Sequence, residues 1–250
     1  MTQALTFPTS FRTGRLASLA AVAVAWCAVA GAEDGRVPPP PYQVHVSDYV
    51  VVGVVWNEAT VRKLLPAGVK PSADMSGGIA LYKSDRGFGI SPYDSVYAFV
   101  NVEGHDAGPG VKGRWMLQGG YGPDDKVAAA IRATYGWPVR AAAVTITDTV
   151  QGKRAVAQIG GRDVFEIELK VAALPCDWVA GINHYVGGGA GRFNVNQIPF
   201  QGQWCGGEPT KVANLAPADD PMAALLPAKV VWGGLFRDGA IAFTKPLAKP

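Results

Sequence analysis

Histidine and charge are scarce in this chain: of 250 residues only three are histidine and 17% are charged. His45, His105 and His184 stand far apart, with no H-x-H or H-E-x-x-H spacing and no neighbouring cysteine, so no metal site is expected from local sequence. No G-x-S-x-G elbow occurs, which removes serine hydrolases of that design. The glycine-rich stretch Gly181 to Asn196 has neither the Gly-Lys-Ser/Thr ending of a P-loop nor a G-x-G-x-x-G set in a βαβ unit, so it is not read as a nucleotide cradle. No strongly apolar run reaches the roughly 20 residues that span a bilayer. There is no internal repeat, and neither a metal nor another cofactor is expected.

What the N-terminus does have is a leader pattern. Residues 1–32 carry Arg12 and Arg15, no acidic residue, a small-and-apolar run from Leu16 to Ala30, and Ala30-Gly31-Ala32 just before Glu33 and Asp34. That is the layout of a secretory signal peptide with an A-x-A cleavage site. Its removal takes two basic residues away, so the formal net charge falls from +3 to +1. A nearly neutral chain offers no electrostatic footprint for nucleic acid, and no stable membrane insertion is expected after cleavage. The expected location is secreted or periplasmic.

Beyond the leader only Cys176 and Cys205 remain, an even pair in an oxidising compartment. A single disulfide is the leading reading; two separate buried thiols are the alternative. Residues 33–41 form a Pro-rich extended lead-in, and residues 42–250 read as one domain. Gln43 to Trp56 is strand-forming, and its continuous apolar run from Tyr49 suits a strand buried on both faces. Asn57 caps a short helix that Pro66 terminates. Ile79 to Tyr82, Val96 to Val102 and Arg114 to Gln118 read as short strands, with turn chemistry over Lys83 to Gly89. Asp124 and Asp125 open an Ala-rich helix over Lys126 to Thr134, which Gly136 and Pro138 end. Ala142 to Thr149, Arg154 to Ile159 and Val164 to Val171 follow as a meander, in which Glu166, Glu168 and Lys170 are expected to face solvent. Gly181 to Asn196 reads as a flexible loop over a pocket, with His184, Tyr185 and Arg192 as contacts. Pro209 to Pro221 reads as an irregular connection.

The helix-to-strand corner I-R-A-T-Y-G-W-P-V-R, Ile131 to Arg140, resembles the G-R-E-x-W-G-F/Y-P-K-K segment of the acetoacetate decarboxylase superfamily. The resemblance extends from about Tyr42 to Phe243 through the order and spacing of loose motifs: a strand, a helix opening on Asn-Glu-Ala and closing at Leu-Leu-Pro, a later Ile-Pro, and a Leu-Pro before the last strands. In that family the first lysine after the proline forms a Schiff base with the substrate ketone, and the second lowers its pKa. In this register those positions are Val139 and Arg140, the motif's glutamate is Ala133, and the family's arginine before the first strand is Ser47. A valine cannot form an imine. Whether a lysine from elsewhere, such as Lys83 or Lys112, enters the cavity instead is left open by the sequence.

The resemblance implies a mainly β (β-rich α+β) fold, with curved antiparallel sheets around an apolar cavity. It places Asp94 at the family's acidic position, beside Arg132 and Arg140 as catalytic candidates; a turn aspartate capping the strand is the alternative reading. Tyr93, Trp137, His184 and Arg192 are the candidate ligand contacts. Two functions that use a ligand stay open. One is a non-imine lyase or hydratase-type enzyme on a small oxo acid or carboxylate; the other is a non-catalytic small-ligand-binding protein of the cell envelope. A structural envelope protein without a ligand is a third. Homo-oligomerisation is an option that the resemblance carries.

Overall fold

The computed structural model describes residues 36–171, 175–189 and 192–248. The leader at 1–32 and the first residues of the Pro-rich lead-in therefore lie outside the described residues. In chain order the elements are β1 (Tyr42–Trp56), α1 (Glu58–Leu64), β2 (Ser76–Phe88), β3 (Asp94–Val102), β4 (Gly113–Gly122), α2 (Asp125–Tyr135), β5 (Val139–Arg140), β6 (Ala142–Asp148), β7 (Gly152–Ile159), β8 (Arg162–Val171), β9 (Asp177–Gly189), β10 (Arg192–Asn214), a 3-10 turn at Pro221–Ala224, β11 (Pro227–Phe243) and β12 (Leu247–Ala248).

The strands join into one sheet in the order β11-β1-β2-β3-β4-β9-β10-β8-β7-β6. Because β10 also pairs with β11, from Phe200↔Ile241 to Gly207↔Gly233, the first seven strands of that order close into a ring. The junctions in the ring are antiparallel except β4 to β9, which runs parallel from Gly113↔His184 to Trp115↔Val186. The far end of β10 leaves the ring to pair with β8, and β8, β7 and β6 form an arm laid over the outside of β1 to β4. The mainly β architecture around an apolar interior is thus observed.

From Tyr49 onward, strand β1 is buried on both faces for a reason its alternation makes plain. Val50, Val52, Val54 and Trp56 point into the layer between ring and arm, with Leu81, Val96, Val144 and Phe165. Tyr49 and Val51 point into the ring, with Tyr82, Tyr97, Phe99 and Phe236. One strand therefore serves two cores, and from Tyr49 its sequence has no polar face to show.

Helix α1 has Asn57 as N-cap, and α2 begins where Asp124 accepts a hydrogen bond from the Lys126 backbone N–H at 2.8 Å. Helix α2 ends at Gly136, whose φ of 70° is the left-handed conformation glycine adopts without penalty. Its Val127, Ala128, Ile131 and Tyr135 pack into the inner cluster, which Trp137 joins immediately after. The expected disulfide forms between Cys176 and Cys205, their Cα atoms 4.6 Å apart, and ties the start of β9 to β10.

Four local expectations are corrected. Of the stretch read as an irregular connection, Pro209 to Asn214 is the end of β10, paired with β8 as far as Asn214↔Phe165. The polar stretch Lys83 to Phe88 is strand, because it pairs with the N-terminal half of β1 as far as Gln43↔Phe88. Within Gly181 to Asn196, residues 181–189 and 192–196 are the paired ends of β9 and β10, not a loop. Their glycines serve close approach: a side chain at Gly187 would run into the backbone carbonyl of Tyr135, so the hairpin passes directly over the end of α2. Glu166 is 5% exposed, not solvated. Arg154 Nε at 2.6 Å and Lys211 Nζ at 2.7 Å cover it from the neighbouring strands, and Lys211 followed by Arg154 holds its carboxyl below the usual range.

Candidate functional site

Inside the ring a cavity of about 600 Å³ opens, within the range of small-molecule sites. Strands β9, β10 and β11 give it an apolar, mostly aromatic wall: Val179, Phe200, Trp204, Val231, Trp232 and Phe236. Trp204 and Trp232 meet edge to face with ring centroids 6.0 Å apart, and Phe200 meets Phe236 the same way at 5.8 Å.

The polar lining is concentrated on β2, β3 and β4. Arg114 stands opposite Asn101 in the β3–β4 register. Asn101 Nδ2 donates to Ser76 Oγ at 2.7 Å, and Ser76 Oγ donates to Asp74 Oδ1 at 2.8 Å. Ser72 Oγ and the Ser76 backbone N–H donate to the same carboxylate oxygen, at 2.6 and 3.1 Å. These bonds, those from Ser72 first, hold the Asp74 carboxyl below the usual carboxylate range, so it is an anion near neutral pH. Asp74, Ser76, Asn101 and Arg114 all line the cavity.

Arg114 is the cavity's cation. Its Nη1 donates to Asn183 Oδ1 at 2.6 Å, and its Cζ lies 4.7 Å from the Phe99 ring centroid and 5.9 Å from that of Tyr185. Aromatic faces steady a guanidinium without neutralising it. Among the described residues no carboxylate lies within ion-pair distance of Arg114, and no lysine lines the cavity.

Behind this space is an inner chamber of about 10 Å³, too small for an organic ligand, lined by Tyr82, Tyr97, Tyr121, Trp137 and Tyr185 and sharing Tyr49 and Asn183 with the outer cavity. Tyr49 and Tyr97 hydroxyls are 2.6 Å apart, and those of Tyr82 and Tyr93 are 2.8 Å apart. Burial raises the pKa of all six of these tyrosines, Tyr93 included, although the Arg114 guanidinium pulls Tyr185 partly back down; they are neutral hydroxyls.

The residues singled out from the sequence are dispersed. Asp94 Oδ1 accepts from Lys83 Nζ and its Oδ2 from the Val144 backbone N–H, both at 2.8 Å, joining β3 to the arm. Arg132 Nη1 donates to the Val139 carbonyl at 2.6 Å, fastening α2 to the strand that follows it. Arg140 makes a two-pronged contact with Asp220, at 2.7 and 3.0 Å. None of the three lines the cavity. Tyr93 is buried among tyrosines, Trp137 lines the inner chamber, and His184 is buried at the β4–β9 junction. The Arg192 side chain lies outside the described residues. Val139 is buried in the inner cluster, while Lys83 is taken by Asp94 and Lys112 lies 3.5 Å from Asp106.

Sequence reasoning missed Arg114. A signal for it existed: in R-W-M-L-Q, Trp115 and Leu117 belong to the outer core and Met116 to the inner one, so Arg114 shares the inward face with Met116. A cation on that face has to be used or compensated.

No protein-family model matches the sequence, and no curated relative matches it. Solved structures do. The chain is similar to an acetoacetate decarboxylase from Legionella pneumophila, with a TM-score of 0.67 at 13% identity over 85% of this chain and 88% of that one. It is similar to the enduracididine biosynthesis enzyme MppR in complex with the condensation product of pyruvate and imidazole 4-carboxaldehyde, with a TM-score of 0.64 at 15% identity over 87% and 91% of the two chains. An acetoacetate decarboxylase-like enzyme from Sphingomonas wittichii RW1 matches with a TM-score of 0.64 at 14% identity over 86% and 94%. At these identities the likeness establishes the fold: the chain has the acetoacetate decarboxylase-like architecture.

Proposed function

We propose that this protein binds a small organic carboxylate in the ring cavity and does so without imine chemistry, as an exported ligand-binding protein of the cell envelope. The observation that carries the reading is Arg114, a guanidinium without a carboxylate partner among the described residues, set in an aromatic cavity that no lysine lines. A carboxylate seated there gains a charge-assisted contact in a partly desolvated site, while its apolar body packs on Phe200, Trp204 and Phe236. Export is supported by the leader pattern and by the disulfide.

Binding is favoured over lyase or hydratase turnover because proton transfer lacks a suitable group in the cavity. Asp74 is the carboxyl that lines it, and its depressed pKa makes it a weak base. The tyrosines are too weakly acidic. Asp94, Arg132 and Arg140 take structural roles in this reading.

Incubation with acetoacetate and borohydride, followed by intact-mass measurement, is expected to give no adduct; a stoichiometric adduct mapped to one lysine overturns the reading. Calorimetric titration with 4-ethylbenzoate is expected to show saturable binding. Arg114→Gln is expected to weaken it about 10- to 100-fold, the range of one charge-assisted hydrogen bond.

A further inference from the structure

Arg114 is not the cavity's single charge. Asp74 lines the same space from the segment before β2, and no cation lies within ion-pair distance of it among the described residues. The two charges are held apart. Arg114 pairs in register with Asn101, Asn101 is bonded to Ser76, and Ser76 is bonded to Asp74. Crossing β4, β3 and β2 separates the backbones at the ends of this row by roughly 10 Å, at about 4.8 Å per strand step. Oppositely charged groups that line one cavity and do not neutralise each other leave two poles for a ligand to satisfy.

We infer that the ligand is a zwitterion whose carboxylate and ammonium are separated by several bonds across an apolar spacer. Its carboxylate lies on Arg114 and Asn183, and its ammonium lies at the exposed rim on Asp74. This rests on the reading above of a carboxylate at Arg114 and adds the second pole. Three features support it. The Ser72 and Ser76 donors converge on Oδ1 of Asp74 and occupy that oxygen, leaving Oδ2 for a cation. Trp204 and Trp232 line the same cavity, and aromatic rings of this kind attract an alkylammonium. Asn101, bonded to Ser76, lies midway and holds the two poles apart without adding charge of its own.

The test is calorimetric titration of the full mature chain with three probes of one shape: 4-(aminomethyl)benzoate, which carries both charges, 4-ethylbenzoate, which carries the anion alone, and 4-methylbenzylamine, which carries the cation alone. The zwitterion is expected to bind about tenfold tighter than 4-ethylbenzoate, and the amine most weakly. Asp74→Asn keeps the acceptor that Ser72 and Ser76 use but removes the charge. It is expected to bring the zwitterion to parity with 4-ethylbenzoate in a protein that still melts cooperatively. Equal affinity of the two benzoates in the native protein, or an advantage for the zwitterion that survives Asp74→Asn, overturns the zwitterion and leaves the carboxylate site standing. Absence of binding by both benzoates, or affinities unaffected by Arg114→Gln, overturns the carboxylate site as well.

Discussion

Arg140 offers a direct way to separate a structural cation from a ligand-binding one. Its guanidinium donates Nη1 to Asp220 Oδ2 at 3.0 Å and Nη2 to Asp220 Oδ1 at 2.7 Å, and the side chain of Asp220 is 1% exposed. The same carboxylate accepts from the Met222 backbone N–H at 2.9 Å, capping the 3-10 turn at Pro221–Ala224. Arg140→Gln therefore strands a buried anion that has two other supports, the Met222 N–H and an Arg162 guanidinium 3.9 Å away. Breaking a fully buried pair costs about 3 to 5 kcal/mol. The guanidinium here is 37% exposed, so solvent relieves part of the loss and about 2 to 3 kcal/mol is expected. In a domain of this size that lowers the melting temperature by roughly 5 to 10 °C. Thermal melts and 4-ethylbenzoate titrations of the same preparation decide the matter. The expected result is a lower melting temperature with unchanged affinity. A normal melt with affinity lost tenfold would refute the reasoning and return Arg140 to the ligand.

Two further outcomes are expected. Replacing Cys176 and Cys205 together by serine, 29 residues apart in sequence, should cost about 3 kcal/mol in urea unfolding on the chain-entropy scale; an unchanged midpoint would show that the link constrains nothing. Stability should also fall on acidification. Asp220, bonded by Arg140, and Glu166, bonded by Lys211 and Arg154, both have folded pKa values below their unfolded ones, so the folded state binds fewer protons. Their contribution is whole above about pH 5 and is lost as pH falls through about 4 toward the folded values. Urea midpoints from pH 7 to 3 should show the decline, Glu166→Gln should make it shallower, and a flat profile would contradict it.

Local chemistry made much of the fold legible. Asn57, Asp124 and Gly136 mark helix ends by capping alone, and those ends were placed within a residue or two. The apolar run of β1 announced burial on both faces, and Cys176 and Cys205 announced their bond. What stayed hidden depends on partners distant in sequence. Lys83 to Phe88 looks like a turn until β1 lies beside it, and Gly187 looks mobile until Tyr135 is known to lie against it. Glu166 alternates like a solvent residue, yet Lys211, 45 residues away, covers it. The site was hidden for the same reason. Asp74, Asn101, Arg114 and Asn183 share no motif, and only the register of β2, β3, β4 and β9 brings them to one cavity.

The ring's seam carries a consequence for how such a chain is made. Tyr42, at the start of β1, pairs with Phe243, at the end of β11. A polypeptide that emerges N-terminus first exposes β1 early and supplies its second neighbour last. Until then one edge of a strand whose second half is almost wholly apolar has no mate, an open invitation to pair with another copy. Chains cut short before Pro227 keep that edge open permanently, so for them the fate to expect is association with their own kind and not a smaller version of the ring.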